Sequence, residues 1–124
     1  MNQKNLLTAT LITAALGTLS ARAETTAMHC TGTEPFWSAH VTDNQIMWRD
    51  PVTDQAVRLK IDEVTPAVGF VEDYIRVYKA AGAPQMVIQK ISCSDNMSDT
   101  EYEYQTLLFK DGNTYQGCCS LTDE

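Results

Sequence analysis

The chain has 124 residues, 44% of them hydrophobic, with 16 acidic and 9 basic side chains and a net charge of −7. That length accommodates one small domain, and the acidic balance excludes the cationic surface that nucleic acid or anionic lipid demands. It suits a cationic partner, drawn in by a field that salt screens.

Residues 1–23 read as a cleaved signal peptide. Lys4 gives a positive n-region, residues 6–19 an apolar h-region, and Ala21-Arg22-Ala23 an A-x-A cleavage site. The apolar stretch falls short of the roughly 20 residues of a membrane span and is diluted by Thr8, Thr10, Thr13 and Thr18. Cys30 lies well past the h-region, outside any lipid-attachment motif. The expected product is a single β domain, residues 24–124, periplasmic or secreted, with no membrane span and no lipid anchor. Lys4 and Arg22 leave with the leader while all acidic residues stay, so the product carries −9.

From Ala27 onward the pattern is β. Trp37, Ala39 and Val41 alternate with Ser38 and His40, the period of a strand with one buried face. Residues 42–45 turn the chain, Ile46 and Trp48 continue the apolar face with Arg49 pointing away, and Asp50-Pro51 ends the run. Residues 55–61 give the cleanest alternation, with Val57, Leu59 and Ile61 opposed to Arg58 and Lys60. Residues 62–69, with Pro66 and Gly69, read as a connection. Residues 74–78 carry bulk on both faces, residues 80–84 turn, and residues 85–91 form a strand leading into Cys93. Tyr102, Tyr104, Thr106 and Leu108 then oppose Glu101, Glu103 and Gln105, and Asp111-Gly112 is a hairpin signal before the last strand. About eight short strands with no helix of ordinary length predict an all-β fold, a small antiparallel barrel or closed sandwich, since closure removes exposed edges.

Four cysteines, Cys30, Cys93, Cys118 and Cys119, in a secreted chain of this size predict two disulfides, and three connectivities are open. A vicinal Cys118–Cys119 bridge is disfavoured because neighbouring strand residues diverge. The competing metal reading uses His29, His40 and the cysteines. It lacks any C-x-x-C spacing and places His29 and Cys30 on opposite faces of a strand, so no metal and no cofactor are expected.

No enzyme signature is present. Ser38 near His40, and Ser98 beside Asp99, lack the glycines of a nucleophile elbow, and the acidic pairs Asp62-Glu63, Glu72-Asp73 and Glu101/Glu103 read as solvated charges rather than as a pKa-shifting site. The stretch that folding alone leaves unexplained runs from Gly32 to Trp37. Pro35 holds Glu34 extended and presents a carboxylate directly before two aromatics. The 94–100 loop is the second candidate, with hydroxyls, carboxylates and Met97 in a row, either a self-bonded turn or a recognition surface.

Gly32-Thr33-Glu34-Pro35-Phe36-Trp37-Ser38, Cys93-Ser94-Asp95-Asn96-Met97-Ser98-Asp99 and Tyr115-Gln116-Gly117-Cys118-Cys119 together resemble an uncharacterised family of small bacterial envelope proteins and lipoproteins. Its motifs run G-x-E-P-F-W, C-x-D-x-M-S-D and G-C in that order. This chain departs from the pattern at Asn96, where glycine is expected, and in lacking the lipid-attachment cysteine. The resemblance implies the pairing Cys93–Cys118 and hence Cys30–Cys119. The family is without an established activity; its domain accompanies META-type envelope domains and is similar in size and β content to periplasmic inhibitors of c-type lysozyme.

The leading expectation is therefore a non-enzymatic envelope binding protein that engages a cationic protein such as a c-type lysozyme. Its surface would be Glu34, Trp37, Asp95, Met97, Ser98 and Asp99, with Ser98 entering the partner's cleft. The alternatives are a small-molecule binder with Trp37, Trp48 and the tyrosines around a barrel mouth, and an envelope-stability factor with no ligand.

Overall fold

The computed structural model describes residues 26–71 and 73–122, together with 12, 13 and 17. Apart from those last three, the expected leader lies outside the described residues, as does Glu72. Eleven strands follow in chain order: β1 (Ala27–Thr33), β2 (Phe36–Val41), β3 (Gln45–Arg49), β4 (Ala56–Lys60), β5 (Glu63–Pro66), β6 (Ile75–Ala80), β7 (Ala83–Gln89), β8 (Cys93–Ser94), β9 (Glu101–Tyr102), β10 (Tyr104–Lys110) and β11 (Asn113–Thr122). Nine form one antiparallel sheet in the order β4-β3-β2-β1-β11-β10-β7-β6-β5, curled into a half-barrel, while β8 and β9 pair separately.

From β1, near the centre of this sheet, the strands meander out to β4, cross to the opposite margin as β5, and meander back to lay β11 beside β1. The crossing needs only Ile61 and Asp62. Ile61 N–H donates to Asn44 O on one side, and Asp62 N–H donates to Lys79 O on the other, both at 2.9 Å. Residues 56–66 thus behave as one bent strand whose first half pairs with β3 and whose second half pairs with β6. This corrects the expectation of a connection at residues 62–69. Val64 and Thr65 favour extended backbone, and Pro66, which has no N–H, sits where a marginal strand tolerates it.

Turn chemistry follows the sequence closely. Asp111 and Gly112 both have positive φ, 52° and 78°, between the paired residues Lys110 and Asn113. That is the type I′ geometry that suits a two-residue hairpin, and it accounts for the Asp-Gly pair. Asp50 closes the β3–β4 turn by accepting the N–H groups of Val52 at 2.7 Å and Thr53 at 3.0 Å.

The interior is filled from alternate positions of the central strands. Met28, Cys30, Trp37, Ala39, Val41, Ile46, Trp48, Tyr78, Met86, Ile88, Tyr104, Leu108 and Cys119 make one buried cluster. Trp48 stacks at a tilt between Trp37, 5.1 Å away, and Tyr115, 4.8 Å away, so aromatics of three strands form the heaviest part of the core. The two disulfides are Cys30–Cys119 and Cys93–Cys118. Cys30 and Cys119 are direct cross-strand partners between β1 and β11. Cys118, one residue earlier, faces the other side of the sheet, where Cys93 of β8 meets it. The same alternation that keeps Cys118 and Cys119 from bridging each other aims them at two different partners.

Candidate functional site

The three sequence blocks, far apart along the chain, meet at one end of the β1–β11 seam. Pairing between these strands runs from Ala27↔Thr122 to Thr31↔Cys118 and stops there. Beyond that point the strands part, and the gap is occupied from below by Trp37. Its indole lies against Gly32 and Gly117, and its Nε1–H donates to Gln116 O at 3.2 Å. A Cβ on Gly117 would fall 2.2 Å from Thr31 O and 2.7 Å from Trp37 Cζ2, and a Cβ on Gly32 would meet the indole at 1.9 Å. Both positions need glycine because the ring of β2 crosses the backbones of β1 and β11 to reach its acceptor.

Above this floor the parted strands leave an open polar groove of about 310 Å³. Thr33 and Glu34 form one wall and Gln116 to Cys118 the other, and Ser94, Asp95, Asn96 and Met97 close the end. The 93–97 segment is held in place by three devices. The Cys93–Cys118 disulfide ties its start to β11, the β8–β9 ladder pairs Cys93 with Tyr102 and Ser94 with Glu101, and Thr33 Oγ1 donates to Asp95 O at 3.3 Å.

Within the loop, the Asp95 carboxylate accepts the N–H of Met97 at 2.9 Å and of Ser98 at 3.0 Å, and the Ser98 hydroxyl at 3.3 Å. The backbone donors of Met97 and then Ser98 are what hold the Asp95 pKa below its usual range, as hydrogen bonds to the charged form do. Ser98 Oγ in turn accepts Thr100 N–H at 3.3 Å. Asn96 sits at φ 60°, the left-handed region. Asparagine is among the few residues with a Cβ that tolerate that conformation.

Of the residues singled out in the sequence, Glu34, Asp95 and Met97 line the groove. Ser98 stands beside it, bound to Asp95, and Asp99 is exposed further along the loop. Trp37 is 4% exposed and supports the groove from beneath. Trp48, Tyr78 and Tyr104 lie in the core cluster, so these rings fill the half-barrel rather than rim an opening. Sequence reasoning passed over Thr31, Gly32, Thr33, Gln116 and Gly117 as groove residues. The signal that finds them is the pair of glycines, each inside one of the sequence blocks and each lying against the Trp37 indole, which needs room.

Met97, which lines the groove, and Phe36, two residues past Glu34, are both 66% exposed. Among the described residues no helix is long and apolar enough to cross a membrane, and the two disulfides are the chemistry of an oxidising compartment. No protein-family model matches the chain, and no curated protein or solved structure matches it either.

Proposed function

We infer that the protein is a non-enzymatic binding protein of the bacterial envelope, periplasmic or secreted, that acts by occupying a cationic partner protein of the c-type lysozyme class. The observation that carries this reading is the convergence of Glu34 and the disulfide-tethered 94–98 loop on one exposed groove, in a chain whose product carries −9. A loop fixed before binding loses little entropy on docking. Met97 and Phe36 offer apolar anchors, and Glu34, Asp95 and Asp99 offer a carboxylate rim, the arrangement of an interface core with a charged surround.

Ser98 keeps its place as the residue expected to meet the partner's catalytic carboxyl. Its hydroxyl donates to Asp95 and accepts from Thr100, which leaves one lone pair of the two. A protonated general acid in a glycosidase cleft is a donor looking for such an acceptor. The flanking carboxylates pair with arginines around the cleft and steer the encounter at low salt.

The test is a titration of the mature protein into a c-type lysozyme assay at two ionic strengths. Stoichiometric inhibition that weakens with salt, and falls at least tenfold on combining Glu34→Gln with Met97→Ala, is the expected result. A lysozyme rate unchanged by an equimolar amount at low salt overturns the choice of partner.

A further inference from the structure

The outer face of the sheet carries a row of side chains that the register sets next to one another. Ser120 of β11 lies opposite His29 of β1, His29 opposite His40 of β2, and His40 opposite Met47 of β3. Their chain neighbours Met28, Cys30, Ala39, Val41, Ile46 and Trp48 all belong to the core, so alternation turns His29, His40 and Met47 outward together. His29 is exposed, and His40 and Met47 are half-buried.

Neighbouring strands lie about 4.8 Å apart, and directly opposite Cβ atoms are about 5 Å apart. At that separation two imidazoles have the reach to share one ion at bond lengths of about 2 Å. Met47 adds a thioether on an unbranched side chain with three rotatable bonds, from the next strand in the same row. Two imidazoles and a thioether are a soft donor set, suited to Cu(I) and poorly suited to hard cations.

We propose that His29, His40 and Met47 form a surface site for Cu(I), independent of the groove and of the partner assigned to it. Among the described residues no group of three His, Cys, Asp or Glu side chains is placed to hold a metal, so the thioether is what completes this set. The four cysteines are consumed in disulfides and offer no competing thiolate. Of the other described thioethers, Met28 and Met86 are buried in the core, and Met97 lies on the loop at the groove. Arg58 of β4 follows Met47 in the row as an exposed, solvated charge at its far end, against the negative field of the whole chain.

The site is tested on the intact mature protein by anaerobic competition for Cu(I) against a chromogenic chelator, with Ni(II) as the probe that imidazole binds and thioether does not favour. One equivalent of Cu(I) is expected. Met47→Leu is expected to weaken Cu(I) binding at least tenfold and to change Ni(II) binding less than twofold, while the double variant His29→Gln/His40→Gln weakens both at least tenfold. With Ag(I) as a diamagnetic substitute, the Met47 methyl resonance should move and that of Met97 should not. All three substitutions lie on the outer face, and far-UV circular dichroism with a thiol count verifies folding. Equal Cu(I) retention by the wild type and the double histidine variant overturns the site. So does a Met47→Leu affinity within twofold of wild type, or loss of the copper on Met97→Leu instead.

Discussion

Strand β1 at the centre of the sheet and strand β4 at its margin both alternate in side-chain character, and they end in opposite environments. Met28 and Cys30 of β1 are 1% and 0% exposed, whereas Val57 of β4 is 37% exposed and Leu59 only half-buried. β1 has a partner on both sides and a disulfide to β11; β4 has a partner on one side. The apolar 68–71 segment beyond β5 is more exposed still, with Val68 fully open and Phe70 stacked on Tyr74 at 5.3 Å. Burial in this fold is thus set by how many neighbours a strand acquires, and both covalent ties end on β11, which lies at the middle of the sheet.

If the centre carries the stability, the largest effect follows from cutting its ties. Replacing Cys30 and Cys119 by alanine opens a loop with a sequence separation of 89, which in the chain-entropy description costs about 4 to 5 kcal/mol. The Cys93–Cys118 pair, separated by 25, should cost about 3 to 4 kcal/mol. Denaturant midpoints of the two double variants measure this order, and an inverted order would show that the shorter bridge stabilises the native loop rather than restricting the unfolded chain.

The next effect sets the two regions against each other directly. Gly117→Ala drives a methyl into Thr31 O and the Trp37 ring and should cost about 2 to 3 kcal/mol, the upper part of the usual range for overpacking. Val57→Ala at the margin should cost less than about 1 kcal/mol. Tryptophan fluorescence during unfolding reports the first at its source; equal losses for both variants would remove the distinction between centre and margin.

The smallest effect concerns two turns built alike in the two regions. Asp50 accepts the N–H groups of Thr53 and Val52, and Asp95 those of Met97 and Ser98, and in each case these bonds hold the carboxyl below its ordinary pKa. A carboxylate with a depressed folded pKa contributes stability that is present above its unfolded value, about 3.9, and lost as the pH falls through the folded one. Both turns should therefore be held at neutral pH and loosen in acid. Amide protection factors, which divide out the intrinsic pH dependence of exchange, should fall more at Val52 and Thr53 than at Met97 and Ser98, because the second turn is also held by Thr33 and by the Cys93 bridge. An equal fall in protection would mean that the bridge does not order the loop.

Much of the fold was legible in the residues. Trp37, Ala39, Val41, Ile46 and Trp48 alternate and are all buried, Asp111-Gly112 makes the hairpin turn, and the tyrosine at position 104 faces inward, because side-chain period and turn propensity act over a few residues. The candidate site was legible in part. Glu34, Asp95 and Met97 stood out as candidates, while Gly32, Gly117 and Gln116 stood in the quoted blocks without a role, since that role depends on an indole arriving from another strand. Residues 62–66 read as a connection because Pro66 and Gly69 dominate a local reading, and the strand there exists only because β6 supplies its hydrogen bonds.

An all-β chain, the faces of its main strands and the presence of two bridges follow from the residues alone. That β1 is central and β4 marginal, that three distant sequence blocks meet at one groove, and that His29, His40 and Met47 stand in one row emerges only when the strands assemble. The reason is physical: alternation fixes which way a side chain points, but strand order and register are set by hydrogen bonds between segments far apart in the chain, and no local pattern encodes which segment arrives alongside.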